Sequence, residues 1–420
     1  MPKCTALIDK LRLESENGID SKFDFIKILR GYHHLETSMN RYDLKYWIAL
    51  KAIEGVGNLG FKNLVDALGS PKNVFDASLH TLKVIPGIGE KTAAHIKDFN
   101  NWKNADENLM LAEKLKVGIV TYQDPLYPGN LLNIYDFPVL LYVKGILSDD
   151  DINVAVVGSR TASTYGKFTT EKICRELALK GITVVSGLAR GIDSAAHRGA
   201  LAGKGRTIAV LGCGLDIVYP PENEKLLMEI AEKGAVITEF PFGTQPNAPN
   251  FPSRNRIISG MSLGVVVVEA GEKSGSLITA RIALDQGREV FAVPGSIDSA
   301  GSRGTHQLIR QGAKLIENVY DILDEILPQL DRKFDKQAPE KNNSPRKSTD
   351  SEKKSDPVII NTLNETEMSV LKTITSKKVD VDTIIAATGF RAGDVLNILL
   401  NLELRGMIVQ LPGKMYIMKE

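Results

Sequence analysis

The stretch from Phe251 to Ala280 carries the residues whose types and spacing most clearly suggest chemistry. An aliphatic strand, Val265–Val268, is predicted here, and a Ser-Gly-Ser turn at residues 274–276 then begins a helix. Unpaired backbone N–H groups at a helix start that follows a buried parallel strand point at a ligand and favour an anion. Because Arg254 and Arg256 lie just upstream, phosphate is the anion that the pattern indicates.

An aromatic residue accompanies these arginines. Phe251 precedes Arg254, and a proline-rich loop, Pro241–Pro252, leads to it. A base stacked on an aromatic ring while arginines hold the backbone is how proteins grip single strands with little sequence preference. The alternative makes Phe251 a core residue and pairs the arginines internally with Glu239 or Glu269.

Two further turns combine glycine with arginine. Residues 158–160, Gly-Ser-Arg, follow one predicted strand, and residues 186–191 follow the next and include Arg190. Glycine lets the backbone approach a ligand closely, and arginine offers donors that suit phosphate. A requirement for close helix–strand packing would explain Gly158 but not Arg160.

Catalytic patterns are sparse. Asp193 and His197 stand four apart and could share a helical face, which raises an acid/base or metal hypothesis. One Asp and one His are too few ligands for a catalytic metal, so we favour Asp193 as a helix cap or as a partner that orients Arg190. The turns at Gly158 and at residues 212–214 do not form a GxGxxG motif, and the sequence has no Walker A or HExxH motif and no GxSxG elbow at the end of a predicted strand. We therefore predict no catalytic residues, no metal and no cofactor.

The elements that must position these groups alternate between strand and helix from Asn153 to about Leu327. Near-continuous aliphatic strands separated by helices predict a parallel sheet covered on both faces. Ligands bind such sheets outside the carboxyl ends of the strands, and the glycine and arginine turns all follow strand ends. The predicted strands are Val154–Val157, Ile182–Val185, Thr207–Leu211, Ala235–Thr238, Val265–Val268 and Glu289–Val293.

The amino-terminal region, residues 1–120, is predicted to be a helical domain with an internal repeat. Residues 53–57 and 85–89 each place two glycines before a helix, Phe61–Leu68 and Lys91–Lys97. The second copy fits the helix-hairpin-helix form, in which a tight glycine turn lets the next helix offer N–H groups to a DNA phosphate. Both copies could equally be plain turns in a structural bundle. A further helix is predicted at Phe23–Leu29.

The carboxyl-terminal part divides into a linker and a small domain. Residues 331–357 hold almost nothing apolar and are predicted to be a disordered linker. Residues 358–420 predict three helices and a hairpin, Ile408–Ile417, which is the winged-helix pattern. Because the presumed recognition helix, Gly393–Leu404, contains no basic residue, we expect protein docking or regulation there and not DNA reading.

The composition sets limits on partners and location. The formal net charge of the 420 residues is +1, so any contact with nucleic acid must come from a local patch. The three cysteines show no CxxC spacing. The chain has no apolar run of spanning length, so we expect a cytoplasmic protein without membrane contact.

Six sequence blocks together resemble one bacterial family. They are VAVVGSR, VVSGLARGIDSAAHRGAL, IAVLGCGLDIVYPPEN, FPSRNRIISG, VVVVEAGEKSGSLITARIAL and GREVFAVPGS. They closely resemble the DprA/Smf family of DNA-processing proteins, over about residues 122–325. The preceding helical segment and the trailing winged helix match the three-part arrangement of some members.

The resemblance implies an α/β fold with a Rossmann-like domain at residues 121–330, between a helix-hairpin-helix (SAM-like) domain and a winged-helix domain. It implies a homodimer that binds single-stranded DNA and loads the RecA recombinase onto incoming DNA in natural transformation, without catalytic turnover. Single-strand binding protein is a further expected partner. The DNA-binding residues that it implies are Gly158, Ser159, Arg160, Ser186, Gly187, Arg190, Phe251, Arg254, Asn255 and Arg256, with Ser274, Gly275 and Ser276 as an additional contact.

Two other functions stay open. Related Rossmann-like folds include phosphoribohydrolases, which cleave nucleoside monophosphates and resemble one another in a PGGxGTxxE signature. The corresponding stretch here, residues 269–276, reads EAGEKSGS and departs from that signature. A pure protein-interaction adaptor is the third possibility, and it would depend on the winged helix and the linker.

Overall fold

The structure is a computed structural model that describes residues 41–148, 151–336, 365–374 and 379–390, together with positions 395, 398–399, 402–403, 407–411 and 415–418. Contacts divide the chain into two compact units, Met1–Pro339 and Glu340–Glu420. The boundary between them falls inside the predicted linker. The helix expected at Phe23–Leu29 lies outside the described residues.

The first unit begins with a helical region. Its helices are α1 (Arg41–Lys51), α2 (Asn58–Leu68), α3 (Pro71–Asp76), α4 (Leu79–Lys83), α5 (Glu90–Lys97) and α6 (Trp102–Leu115).

The predicted internal repeat forms two glycine hairpins that pack against each other. Gly55 and Gly87 turn the chain with φ values of 91° and 82°, which side chains other than glycine rarely adopt. The Asn63 side chain donates to the carbonyl of Pro86 at 2.9 Å, which joins the two copies. The tandem therefore has a structural role. Its proposed contact with DNA stays a prediction.

A nine-stranded sheet follows. Its strands and the main helices are β1 (Gly118–Thr121), β2 (Leu140–Gly145), β3 (Asn153–Val157), α7 (Thr164–Leu179), β4 (Thr183–Ser186), α8 (Ile192–Ala202), β5 (Thr207–Val210), α9 (Glu224–Lys233), β6 (Ala235–Thr238), α10 (Asn250–Met261), β7 (Gly264–Val267), α11 (Gly275–Asp285), β8 (Glu289–Ala292), α12 (Arg303–Arg310), β9 (Lys314–Leu315) and α13 (Val319–Lys336).

The strand order is β1-β2-β6-β5-β4-β3-β7-β8-β9, and the seven strands from β6 to β9 run parallel. The parallel sheet predicted from six strands is confirmed, and β1 and β2, which lie outside that prediction, add an antiparallel edge to it. An aliphatic run encodes burial but not direction, and β1 joins β2 without the helical crossover that parallel pairing needs. Strand β1 also crosses the predicted domain boundary at residues 120–121, which stays a prediction.

The sheet is buried on both faces. Ala155 and Val157 of β3 pack into one core, while Val154 and Val156 pack into the core on the opposite face. This alternation explains why the strands read as continuous aliphatic runs. Because the seven strands are parallel, the turns that follow their carboxyl ends meet at one edge of the sheet.

The second unit is small. It contains α14 (Glu365–Thr373), β10 (Val379–Asp380), α15 (Val381–Thr388), β11 (Ile408–Leu411) and β12 (Met415–Met418), with a sheet order of β10-β12-β11. The predicted hairpin is confirmed. Most of the presumed recognition helix lies outside the described residues, although the side chains of Val395, Leu399 and Leu402 are buried.

Candidate nucleic-acid interface

One cavity lies beyond the carboxyl ends of β4 and β5, where α10 begins, and we call it the arginine cavity. Its volume is about 30 Å³, far below the roughly 300–1,000 Å³ of a typical small-molecule pocket. A nucleotide must therefore sit mainly at its mouth or displace side chains. The cavity is lined by Arg160, Gly187, Ala189, Arg190, Leu211, Gly212, Cys213, Tyr219, Pro220, Phe251 and Arg254.

Arg254 forms the floor of the arginine cavity. Its exposed fraction is 4%, and its Nη1 donates to the carbonyl oxygen of Val210, the last residue of β5, at 2.5 Å. Burial lowers the pKa of the Arg254 guanidinium, and nearby Asp193 opposes that shift. Within the described part of the chain no carboxylate forms an ion pair with Arg254. A buried cation that Asp193 balances only from a distance, without a direct ion pair, keeps the floor electropositive and favours an incoming anion.

Gly187 makes room for this guanidinium. A Cβ at Gly187 would lie 1.9 Å from Nη1 of Arg254, which no packing tolerates. The glycine in the second predicted turn is therefore required because the arginine passes over it, and not because of its φ angle. The sequence alone, in which the two residues are 67 positions apart, gives no sign of this contact.

Arg160 and Phe251 form the outer wall. The Arg160 guanidinium lies 5.2 Å from the centre of the Phe251 ring, and that of Arg254 lies 5.9 Å from it. These are cation–π distances. The ring is half-buried and also lies 5.8 Å from the Tyr219 ring. A flat aromatic wall beside an exposed arginine can stack a base and bind the adjoining phosphate.

Arg190 also reaches the cavity but is already paired. Its Nε and Nη2 donate to the two carboxylate oxygens of Glu222, the second contact at 3.1 Å. The hydrogen bond from Arg190 lowers the pKa of Glu222. The turn that carries Arg190 is tightly wound, because Leu188 and Gly191 have φ values of 56° and 76°. Positive φ at a buried leucine is strained, and such strain concentrates at functional sites.

Other predicted site residues do not line the cavity. Ser186 is fully buried and donates to the carbonyl of Val156 at 2.6 Å, so it ties β4 to β3. A Cβ at Gly158 would lie 2.6 Å from the Ile192 side chain, so close packing explains that glycine. Ser159 belongs to the same turn: its amide donates to the carbonyl of Glu269, and its hydroxyl accepts from the Thr161 amide.

Arg256 is paired within the protein, as the alternative interpretation of the sequence predicted. It forms an ion pair with Glu239 at 2.5 Å and another with Asp136 at 3.4 Å, and its side chain is 12% exposed. Two residues correspond to just over half a helical turn, so Arg254 points to the cavity while Arg256 lies on nearly the opposite face of α10 and fixes the helix to the protein. Asn255, between them, is half-buried outside the cavity lining.

The turn at residues 274–276 is also used locally. Ser274 caps α11 by accepting from the Ser276 amide at 3.4 Å, and the two hydroxyls lie 2.8 Å apart. None of the three residues lines the arginine cavity. An additional DNA contact by Ser274, Gly275 and Ser276 stays a prediction.

Asp193 and His197 have structural roles. Asp193 accepts from the Ala189 amide at 3.3 Å and so stabilises the turn before α8. The prediction that it caps the helix is wrong, because Gly191 is the N-cap and has no side-chain cap hydrogen bond, and Arg190 is held by Glu222. His197 is fully buried, and its Nδ1 lies 2.7 Å from the Thr207 hydroxyl. Because that hydroxyl donates to the Val184 carbonyl, Nδ1 of His197 must be the donor to it. Burial lowers the pKa of His197 to about 3, so the ring is neutral at physiological pH.

A second crevice lies where the strand order reverses, between β3 and β7, and we call it the switch-point crevice. In doubly wound sheets this is the usual ligand position. Here the Glu269 carboxylate, 9% exposed, accepts from the amide of Ser163 at 2.9 Å and so occupies the amino terminus of α7. A Cβ at Gly166 or at Gly301 would lie 2.2 or 2.5 Å from a Glu269 carboxylate oxygen. The crevice leaves about 530 Å³ open beside Ser163, Glu269 and Ser302, but the Glu269 carboxylate takes the helix amino terminus at which a nucleotide phosphate would bind.

The sequence interpretation missed Tyr219, Pro220 and Glu222. They follow Gly212-Cys213-Gly214, the turn at the end of β5, so the rule that ligands bind at strand carboxyl ends could have found them. In the part of the chain that the structure covers, no cluster of three or more His, Cys, Asp or Glu could hold a metal ion. No described helix combines the length and the apolar character that a membrane span requires.

Comparisons with known proteins agree with this fold. Residues 118–327 match the family described as DNA recombination-mediator protein A. Residues 354–414 match the DprA winged helix domain, and residues 48–99 match a SAM-like helix-hairpin-helix tandem.

Individual relatives extend the match over most of the chain. Protein Smf from Synechocystis is 36% identical over 390 residues, which is 88% of this chain and 98% of the relative. The X-ray structure of DNA processing protein A from Streptococcus pneumoniae is 39% identical, covers 67% of this chain and 98% of its own, and has a TM-score of 0.58. DNA processing protein A from Helicobacter pylori, described for a unique single-stranded DNA binding mode, is 31% identical, covers 51% of this chain and 97% of its own, and has a TM-score of 0.47.

The fold and site define a three-part α/β protein whose Rossmann-like sheet presents arginines at one edge. The chain belongs to the DNA recombination-mediator protein A family, DprA/Smf, whose members process DNA.

Proposed function

We propose that the protein binds single-stranded DNA at the arginine cavity and loads the RecA recombinase onto incoming DNA in natural transformation. It acts as a homodimer that exchanges with single-strand binding protein, and it makes and breaks no bond. The observation that carries this proposal is the convergence of Arg160, Arg190, Arg254 and Phe251 on one cavity at the sheet edge.

The chemistry of the lining supports binding and not catalysis. Its ionisable groups include three arginines, which do not exchange protons near neutral pH, and the thiol of Cys213. Burial raises the pKa of that thiol to about 11, so it is a poor nucleophile. The internal carboxylate in the switch-point crevice also opposes the nucleotide-cleaving alternative, because the phosphate position there is taken.

The arginines of the cavity would recognise the phosphates, and Phe251 would recognise a base. The electropositive floor and the exposed Arg160 attract the backbone, and Phe251 offers its ring to an unstacked base. A duplex hides the base faces, so this wall favours single strands.

The test is a titration of labelled oligothymidine, with a hairpin duplex in parallel, at fixed ionic strength. Arg160→Gln should weaken single-strand binding by about 10-fold, because a charge-assisted hydrogen bond is lost. Arg281→Gln is the matched control, since Arg281 is exposed on α11 and does not line the cavity. Equal affinities of the two variants would contradict the proposed site. RecA loading is measured separately, as recombinase assembly on DNA coated with single-strand binding protein.

A further inference from the structure

Arg190 differs from the other cations of the arginine cavity in having an internal carboxylate partner. Both side chains of the Arg190–Glu222 pair are about half exposed, at 58% and 50%. The contact is two-pronged, with Nε and Nη2 each on a separate carboxylate oxygen. This is the geometry in which a guanidinium binds a phosphate. Glu222 therefore occupies the donors that a DNA phosphate would need.

The position of Glu222 is built into the fold. Its neighbour Asn223 is buried, and the Asn223 amide donates to the Leu188 carbonyl at 2.9 Å and to the Ser194 hydroxyl at 2.8 Å. These two bonds fasten the loop after β5 to the turn that carries Arg190. The carboxylate is consequently held beside the arginine, and a random encounter of two long surface side chains does not explain the pair.

The outer wall is also occupied by the protein's own groups. The Arg160 guanidinium rests on the Phe251 ring, and the free volume of the cavity is only about 30 Å³. A strand that enters must move Arg160 from the ring and must take Arg190 from Glu222. The first exchange involves a weak contact, whereas the second replaces one anion by another.

We propose that Glu222 is an internal competitor for Arg190, which mimics a DNA phosphate in the free protein and lowers the affinity of the site for single strands. This inference rests on the proposed function, because it concerns the same cavity. Its physical consequence is that removal of the Glu222 charge should strengthen binding, although Glu222 lies at the binding site. The competition also favours long strands, which gain several other contacts, over small anions, which gain one.

The experiment compares oligothymidine affinity for the full chain and for Glu222→Gln, which keeps the shape and removes the charge. We expect binding about 5-fold tighter, the size of a surface ion pair. The slope of log affinity against log salt should not change, because Arg190 contacts the same phosphate in the bound state of both proteins. Glu222→Ala should act in the same direction. Glu224→Gln is the matched control, because Glu224 is exposed two residues further on and loses the same charge.

A double-mutant comparison isolates the pair. In an Arg190→Gln background the gain from Glu222→Gln should vanish, since no cation remains to be released. A gain that persists there, or that Glu224→Gln reproduces, would overturn the inference in favour of general charge repulsion. Weaker binding by Glu222→Gln would show that the carboxylate orients Arg190 and would equally overturn it. Failure of the unmodified chain to bind any single strand would instead refute the proposed function.

Discussion

The arginine cavity and the switch-point crevice lie at the same edge of one sheet, yet they are filled in opposite ways. The switch-point crevice satisfies the amino terminus of α7 with the Glu269 carboxylate. The arginine cavity leaves the buried Arg254 without a carboxylate partner among the described residues. The comparison indicates that a candidate ligand site in this fold is marked by the charge left without an ion pair, and not only by the point where the strand order reverses.

The largest effect is expected when the charge of Arg254 is removed from the floor of the arginine cavity. Arg254→Met keeps the side-chain volume and should weaken oligothymidine binding by about 10- to 100-fold, because the desolvated cation is lost. The free energy of unfolding should fall by only about 1–3 kcal/mol, since the Val210 carbonyl loses its donor. Affinity is measured by fluorescence anisotropy and stability by urea unfolding. Unchanged affinity in a folded variant would refute the role of the floor.

A second variant keeps Arg254 but removes the space that Gly187 leaves for its guanidinium. Gly187→Ala places a Cβ 1.9 Å from Arg254 Nη1 and must displace it. We expect affinity to fall by about 10-fold as the guanidinium loses its position. Overpacking should also lower the unfolding free energy by about 1–3 kcal/mol. Gly129→Ala is the control, because a Cβ there meets nothing within 4 Å. Equal affinities for the two variants would show that the position of Arg254 does not matter.

A substitution in the switch-point crevice should change the stability of the protein and not its affinity for DNA. Glu269→Gln keeps the shape but removes the charge at the amino terminus of α7. The unfolding free energy should fall by about 1 kcal/mol, the size of a cap or helix-dipole contribution. Oligothymidine affinity should not change. A clear loss of affinity with normal stability would mean that DNA uses this crevice after all.

Much of the fold could be predicted from the sequence because the relevant signals are local. The six predicted strands of the parallel sheet form within a residue or two of the expected bounds, since aliphatic runs and turn residues record burial along the chain. The directions of β1 and β2 could not be predicted, because pairing partners are distant in sequence. The grouping of Arg160, Arg190 and Arg254 followed from the rule for strand ends. The roles of Arg256 and Ser186 could not be predicted, because the sequence does not show whether a cation or a hydroxyl is paired within the protein or is free to bind a ligand.

The sequence by itself determined the alternation of strands and helices, the edge at which polar turns gather and the family of the protein. Tertiary structure alone decided how each charge is used. It paired Arg190 with Glu222 and Arg256 with Glu239, and it buried Arg254 over Gly187. The physical reason is that burial patterns repeat along a strand or helix, whereas the energy of a charge depends on partners that only folding brings within a few ångströms.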